Sequence, residues 1–212
     1  MANAVSAVSG ALPAGASAEH ARHCALVRVT HWINTVSFVA LVISGIAILL
    51  AHPRLYWGET GSLGGPSLLD LPLPFVFAGQ SGWGRALHFQ SAWACVLNGC
   101  IYVVSGAFSG HFRGRMAESG YNAAQRATYL AVIFLLFPLI VWTGLAMSPA
   151  VVSVVPEIVT IFGGQQTART LHFFAANVAV LFFFVHLILV WRAGFLSHVR
   201  AMITGQMRTE RA

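Results

Sequence analysis

The chain has 212 residues, 57% of them hydrophobic and only 8% charged, with a mean hydropathy of +0.73. Soluble domains carry about 25% charged residues, so this composition excludes a water-soluble globular protein and predicts an integral membrane one. The net charge of +6 comes from twelve arginines scattered in ones and twos; no basic run interleaves with aromatics, which excludes a nucleic-acid binder and makes the charge a signature of membrane topology.

Residues 1–20 are rich in Ala, Ser and Gly without a basic segment leading into an apolar core, and predict a disordered tail and no cleaved signal peptide. A four-span domain is expected over 21–200, followed by a cytoplasmic C-terminal tail at 201–212. The first span covers about 26–51 and carries Arg28 and His31 near its start. Residues 52–84 form a connection whose prolines and glycines forbid a spanning helix, and a loop this long points to a function. The second span, about 85–109, has His88 near its start. A polar link at 110–125 leads to the third span, about 126–147, which contains no histidine. Residues 148–167 are apolar but broken by Pro156, as in a half-buried interfacial segment. The fourth span covers about 169–192; between Thr170 and Trp191 it has no acidic residue, lysine or arginine, yet it holds His172 and His186.

Cys24, Cys95 and Cys100 form neither CxxC nor CxxCH, so no disulfide framework and no covalently attached haem is expected. His20, His23, His52, His111 and His198 fall in tails or links and read as solvated surface histidines. Trp32, Trp142 and Trp191, near span ends, suit an aromatic belt.

Intramembrane ionisable residues are rare and face the bundle interior. The separation of His172 and His186 returns the second imidazole to within about 40° of the first, about 21 Å further along the helix. Arginine counting gives orientation: with four spans, nine arginines fall on the side of both termini and three on the other, which places both termini in the cytoplasm and the 52–84 loop in the periplasm of a bacterium. His31 and His186 then lie near the inner surface, and His88 and His172 near the outer. Two imidazoles on facing helices are what a six-coordinate b-type haem requires, so the expectation is an all-α four-helix transmembrane bundle binding two haems b. Arg28, Arg85 and Arg169 each precede a histidine at i−3, one turn nearer the surface, where they suit haem propionates. A haem-free transporter using a histidine relay is the rival from another class; the level-matched pairs and the lack of acidic residues in the spans count against it.

The segments RVTHW at 28–32, SG at 44–45, RALH at 85–88, YNAAQR at 121–126, LH at 171–172 and AMITGQM at 201–207 resemble the membrane cytochrome b (gamma) subunits of respiratory formate dehydrogenases, within the prokaryotic cytochrome b561 and nickel–iron hydrogenase b-type cytochrome group. The resemblance implies two haems b on the same histidine pairs and a quinone site on the cytoplasmic side, where Asn122 matches a site-lining asparagine and Tyr121 and Gln125 complete its motif. It implies an electron-transfer subunit of a quinone-linked oxidoreductase in the bacterial inner membrane. Its partner would be a periplasmic catalytic or iron–sulfur subunit of molybdenum-enzyme, formate dehydrogenase or hydrogenase type; higher oligomers are left open. A stand-alone cytochrome b561, such as a superoxide:quinone oxidoreductase, is the alternative within the same group, and the long outer loop argues mildly for a docked partner instead.

Overall fold

A computed structural model of the chain describes residues 24–73, 81–108, 127–128 and 130–205. In hydrocarbon every backbone amide must be bonded within its own segment, so apolar runs of this length become helices. Three are long and apolar enough to cross a membrane: α1 (Ala25–Ala51), α2 (Ser81–Phe108) and α6 (Gln165–Arg192). A shorter apolar helix, α3 (Val132–Ala146), lies in the third expected span. Helix α2 begins four residues earlier than expected, as does α6.

Helices α1 and α2 run antiparallel along a seam of small and polar residues. Thr30, Ser37 and Ser44 are buried on α1, and Gly84, Ser91 and Asn98 on α2. Both sets repeat every seven positions, the spacing that keeps one stripe facing a partner helix. Lipid supplies no hydrophobic drive between helices, so close backbone approach through small residues takes its place. The hydroxyls do not cost an orphaned polar group, because Thr30 and Ser44 donate back to Leu26 and Ala40 carbonyls at 2.9 and 2.7 Å.

Helix α3 opens with a π-helical turn at Val132–Leu136 and continues as α-helix from Phe137. Pro138 explains the change: it has no N–H, and its ring crowds the carbonyl four residues earlier, so a wider turn absorbs the break. Two short helices, α4 (Pro149–Val152) and α5 (Glu157–Ile161), follow with Pro156 between them. Ile158 of α5 is buried beside Ala146 and Ala168, closing this end of the α3–α6 pair.

The 52–73 segment is more ordered than its composition suggests. Strand β1 (Arg54–Leu55) pairs antiparallel with β2 (Leu69–Asp70), and Leu55 is buried beneath the hairpin. The exposed Arg54–Asp70 ion pair, at 3.1 Å, adds little by itself. The tighter hold is on α6. Its N-cap, Gly164, offers no side-chain cap. Instead the Gly58 carbonyl accepts from Gln166 and Thr167 amides at 3.0 and 3.3 Å, while Gly58 N–H donates to Thr167 Oγ1 at 2.8 Å. Thr170 Oγ1 donates to the Tyr56 carbonyl at 2.7 Å. The orphan amides of the helix start are thus satisfied by a loop more than one hundred residues earlier.

After α6, Ala193 and Gly194 turn the chain into α7 (Phe195–Thr204). The polar tail expected from residue 201 therefore begins inside a helix.

A Cβ at Gly84 would stand 3.2 Å from the Ala47 methyl and 3.4 Å from the Ser44 carbonyl, whereas one at Gly99 meets nothing within 4 Å. Gly84→Val should destabilise the detergent-solubilised protein by about 1–3 kcal/mol through overpacking. Thermal melting followed by size-exclusion chromatography would show a lowered midpoint for Gly84→Val and an unchanged or slightly raised one for Gly99→Ala.

Candidate functional site

The antiparallel seam and the α3–α6 pair bring two intramembrane histidines close together, ring edge to ring. The rings of His88 on α2 and His172 on α6 have centroids 6.2 Å apart, with planes inclined at 66°. Each ring is held from behind by a neighbouring helix. His88 Nδ1 is 3.0 Å from Ser44 Oγ on α1. His172 Nδ1 is 3.0 Å from Thr143 Oγ1 and 3.1 Å from the Ile140 carbonyl, both on α3. Ser44 and Thr143 are completely buried.

These contacts fix the tautomer. The Ile140 carbonyl only accepts, so His172 Nδ1 carries the proton and donates it, and Ser44, whose own hydrogen is spent on its helix, asks the same of His88. Each hydroxyl spends its own hydrogen on the preceding turn, Ser44 on Ala40 and Thr143 on Leu139 at 2.7 Å, and so presents a lone pair to the ring. Nε2 of both histidines is left with a free lone pair, the state of a metal ligand whose other nitrogen is anchored.

The spacing suits one metal between the rings. Metal–imidazole bonds of about 2.0 Å on opposite sides, with ring centres about 1 Å beyond each nitrogen, put the centroids about 6 Å apart. Among the described residues no group of three or more His, Cys, Asp or Glu gathers around a metal position. A two-histidine site therefore fits a metal that brings its remaining ligands in a macrocycle, as haem does. Beside the rings stand glycines. A Cβ at Gly45 would lie 3.8 Å from His88 Cε1, and one at Gly144 would lie 3.5 Å from His172 Cε1, so a longer side chain at either would press on the imidazole. The pattern is the same on both halves: a hydroxyl residue followed by glycine on one helix seats the histidine of its neighbour. The sequence contains this correspondence only as Ser44-Gly45 and Thr143-Gly144, too short to stand out as a repeat.

The other two histidines lie further along their own helices. Ser44, in contact with His88, lies 13 positions beyond His31 along α1, about 20 Å at 1.5 Å per residue. His186 lies a similar distance from His172 along α6. His31 meets Trp32 edge-on at 5.5 Å, and His186 stacks on Phe182 at 6.4 Å. Helices α1 and α6 touch through Phe38 and Phe183, with ring centroids 5.1 Å apart, so Phe183 is an inter-helix packing residue.

A polar cluster not anticipated from the sequence braces the His31 end of α1. Asn98 of α2 is buried and donates from Nδ2 to the Thr30 carbonyl and to Asn34 Oδ1, both at 2.8 Å. Cys95 Sγ approaches Asn34 Oδ1 at 3.7 Å. Thr30 and Asn34 flank His31, so the cluster fixes the rotation of α1 that aims His31. Asparagines inside apolar spans were the available signal, since such amides join helices in lipid.

The three arginines at i−3 have separate environments. Arg169 Nη2 donates to the His52 carbonyl, and Arg85 and Arg169 both lie close enough to act on the His52 ring. Two arginines, each one turn before a histidine of the pair, therefore both lie on the side of His52. Arg28 Nη1 instead donates to the Ile203 carbonyl of α7 at 2.8 Å. Tyr121, Asn122 and Gln125 lie outside the described residues.

A family model described as prokaryotic cytochrome b561 matches residues 22–205. The putative protein-methionine-sulfoxide reductase subunit YedZ1 of Azospira oryzae is 29% identical over 199 residues, covering 81% of this chain and 90% of that protein. No solved structure matches the chain.

Because Nδ1 partners orient ligand imidazoles, Ser44→Ala combined with Thr143→Val should weaken haem retention about tenfold or more. Transfer of haem from the purified protein to apomyoglobin measures this, with faster loss expected in the double variant. A second expectation concerns His52, just outside α1. Burial first, then Arg169 and Arg85, hold it below the ordinary imidazole value of 6.5. The folded state thus resists a proton that the unfolded chain accepts, so stability is full above about pH 6.5 and falls as the pH drops below that value. Melting midpoints measured between pH 7.5 and pH 5 should fall less steeply in His52→Gln than in the wild type.

Proposed function

For this chain, which belongs to the prokaryotic cytochrome b561 family, we propose the role of di-haem membrane subunit that carries electrons between a periplasmic redox partner and the quinone pool. Family membership makes it a multi-pass membrane electron-transfer protein and implies haem b. The observation that carries the finer reading is the His88–His172 pair, with both Nδ1 atoms anchored and the rings one metal apart.

In this reading four spans close into a bundle. His88 and His172 hold one haem near the outer surface, and His31 and His186 hold another near the inner surface. Haem b supplies reversible one-electron chemistry at its iron when bound. The protein's part is to set position and charge. Imidazoles held by Ser44, Thr143 and the Ile140 carbonyl would bind such a haem through Nε2, and it would supply electron transfer there. Arg85 and Arg169 place positive charge one turn outside the outer pair, where propionate carboxylates would be paired. Arg28 is the corresponding group on the inner side.

Tyr121, Asn122 and Gln125 form the quinone site on the cytoplasmic side, the Asn122 amide donating to a quinone carbonyl. The arginine distribution puts both termini in the cytoplasm of a bacterial inner-membrane protein. The 52–73 hairpin, fastened to the start of α6, then faces the periplasmic partner. The name of the Azospira relative, a reductase subunit, favours a partnered protein over a stand-alone cytochrome, and favours flow from quinol outward to the partner. A formate dehydrogenase or hydrogenase partner would use the same sites in the opposite direction.

Dithionite-reduced minus oxidised spectra with pyridine haemochrome quantitation test the proposal. Two haems b per wild-type chain are expected, with one lost in His172→Ala and the other in His186→Ala. A wild-type preparation from haem-replete cells that lacks pigment, or a His186→Ala protein that keeps both haems, overturns it.

A further inference from the structure

Helix α7 is fixed at both ends in a way that sets it across the end of the bundle. Gly194, at φ +101°, breaks the direction of α6, and its carbonyl accepts from Ser197 Oγ at 2.7 Å and from the His198 amide at 3.2 Å. At the far end, three of the last four carbonyls are satisfied: Ala201 by the Gly205 amide at 2.9 Å, Met202 by Trp32 Nε1 at 3.1 Å and Ile203 by Arg28 Nη1 at 2.8 Å. Helix ends leave these carbonyls orphaned, and the guanidinium also meets the negative end of the helix dipole. Gly205 turns away at φ +85°, and a Cβ there would lie 3.0 Å from Arg28 Nη1, so the cap needs glycine at that place. The first turns of α1 thus clamp α7, while the last turn of α6 tethers it.

The clamped helix has two unlike faces. Phe195, Leu196, Val199, Met202 and Ile203 recur at i, i+1, i+4, i+7 and i+8, one arc of a helix. Ala201, on another flank, is buried against the protein. Leu196 is 82% and Ile203 62% exposed, and Arg200 and Thr204 lie beyond them. Trp191, at the end of α6, is 72% exposed beside this arc.

We propose that α7 is an interfacial helix whose Leu196–Ile203 face is seated in the headgroup–acyl boundary of the bilayer, held at that depth by the Arg28 and Trp32 clamp on its C-terminal carbonyls. The occupant follows from continuity. Helix α7 leaves the lipid-exposed surface of α6 within two residues, at the depth marked by Trp191, so its apolar arc extends a surface that already faces lipid. Arg192 and Arg200 add the positive charge that suits anionic headgroups. Arg28 is thereby a positioning residue for α7, whatever else its guanidinium contacts.

The test uses the full chain in nanodiscs of mixed zwitterionic and anionic phospholipid. Nitroxide labels are placed at Leu196→Cys, Ile203→Cys and Arg200→Cys, each in a background with Cys24, Cys95 and Cys100 replaced. Power saturation is expected to show Leu196 and Ile203 labels relaxed by oxygen and shielded from a water-soluble nickel chelate, with the reverse for Arg200. Adding Arg28→Gln and Trp32→Phe should raise chelate access at Ile203 several-fold and leave Leu196, near the tethered end, little changed. Labels at Leu196 and Ile203 as open to the chelate as Arg200 would overturn the proposal. So would labels shielded from both relaxants, which would mean that protein covers the face. For variants that do not fold, photoactivated labelling of the unmodified chain by a lipid-dissolved diazirine gives the same decision: adducts on α7 support the proposal, and their absence when α1 and α6 are labelled rejects it.

Discussion

The Nδ1–H of an intramembrane imidazole, donated to a carbonyl on a neighbouring helix, is the interaction on which the rest of this site depends. A histidine free to rotate in hydrocarbon would satisfy its N–H wherever it could, and neither ring nitrogen would be committed. At His172 the Ile140 carbonyl and Thr143 hydroxyl settle the question, and at His88 the Ser44 hydroxyl does so. Once Nδ1 is engaged, Nε2 is the nitrogen left with a lone pair, and the two rings stand with centres 6.2 Å apart. The constraint reaches back into the packing. It requires α1 beside α2 and α3 beside α6 at particular rotations, and the small-residue seam of Thr30, Ser37 and Ser44 against Gly84, Ser91 and Asn98 supplies one of them.

The polar groups buried in the spans divide into two kinds by what they do with their hydrogens. Thr30, Ser44 and Thr143 return theirs to the preceding turn of their own helix, so they add no unmet donor in lipid. Asn98 spends its amide across the seam and joins two helices. The first kind permits close approach; the second fixes register, because an amide displaced by one residue would lose two partners at once. Together they hold His31 and His88 on faces of α1 and α2 about 20 Å apart without any ion pair inside the described spans.

The two ends of the bundle are closed by long-range capping. The 52–73 hairpin hands a glycine carbonyl to the first amides of α6, and α1 hands an indole and a guanidinium to the last carbonyls of α7. Both solve the same shortage, since neither helix end has a capping side chain of its own. The consequence for chemistry differs. The cap on α6 lies at the end where His52 meets Arg85 and Arg169, a cationic rim beside the His88–His172 pair, while the cap on α7 commits part of Arg28 to the fold.

The sequence by itself determined the membrane character and which histidines lie in apolar spans, and it expected His88 beside His172, whose rings do meet, because apolar length, ionisable residues in lipid and arginine asymmetry are properties of local composition. It also placed a break at Pro156 in the segment before α6, where the structure has two short helices. It did not reveal Ser44 and Thr143 as the groups that set the imidazoles, nor the Asn34–Asn98 bridge, the loop cap on α6 or the hold of Arg28 and Trp32 on α7. Each of these joins residues far apart in the chain, and a hydroxyl or amide in an apolar run looks the same whether it turns inward on its own helix or meets a neighbour. Which partner it meets is decided by helix rotation and the contact of distant segments, and only the tertiary structure contains those.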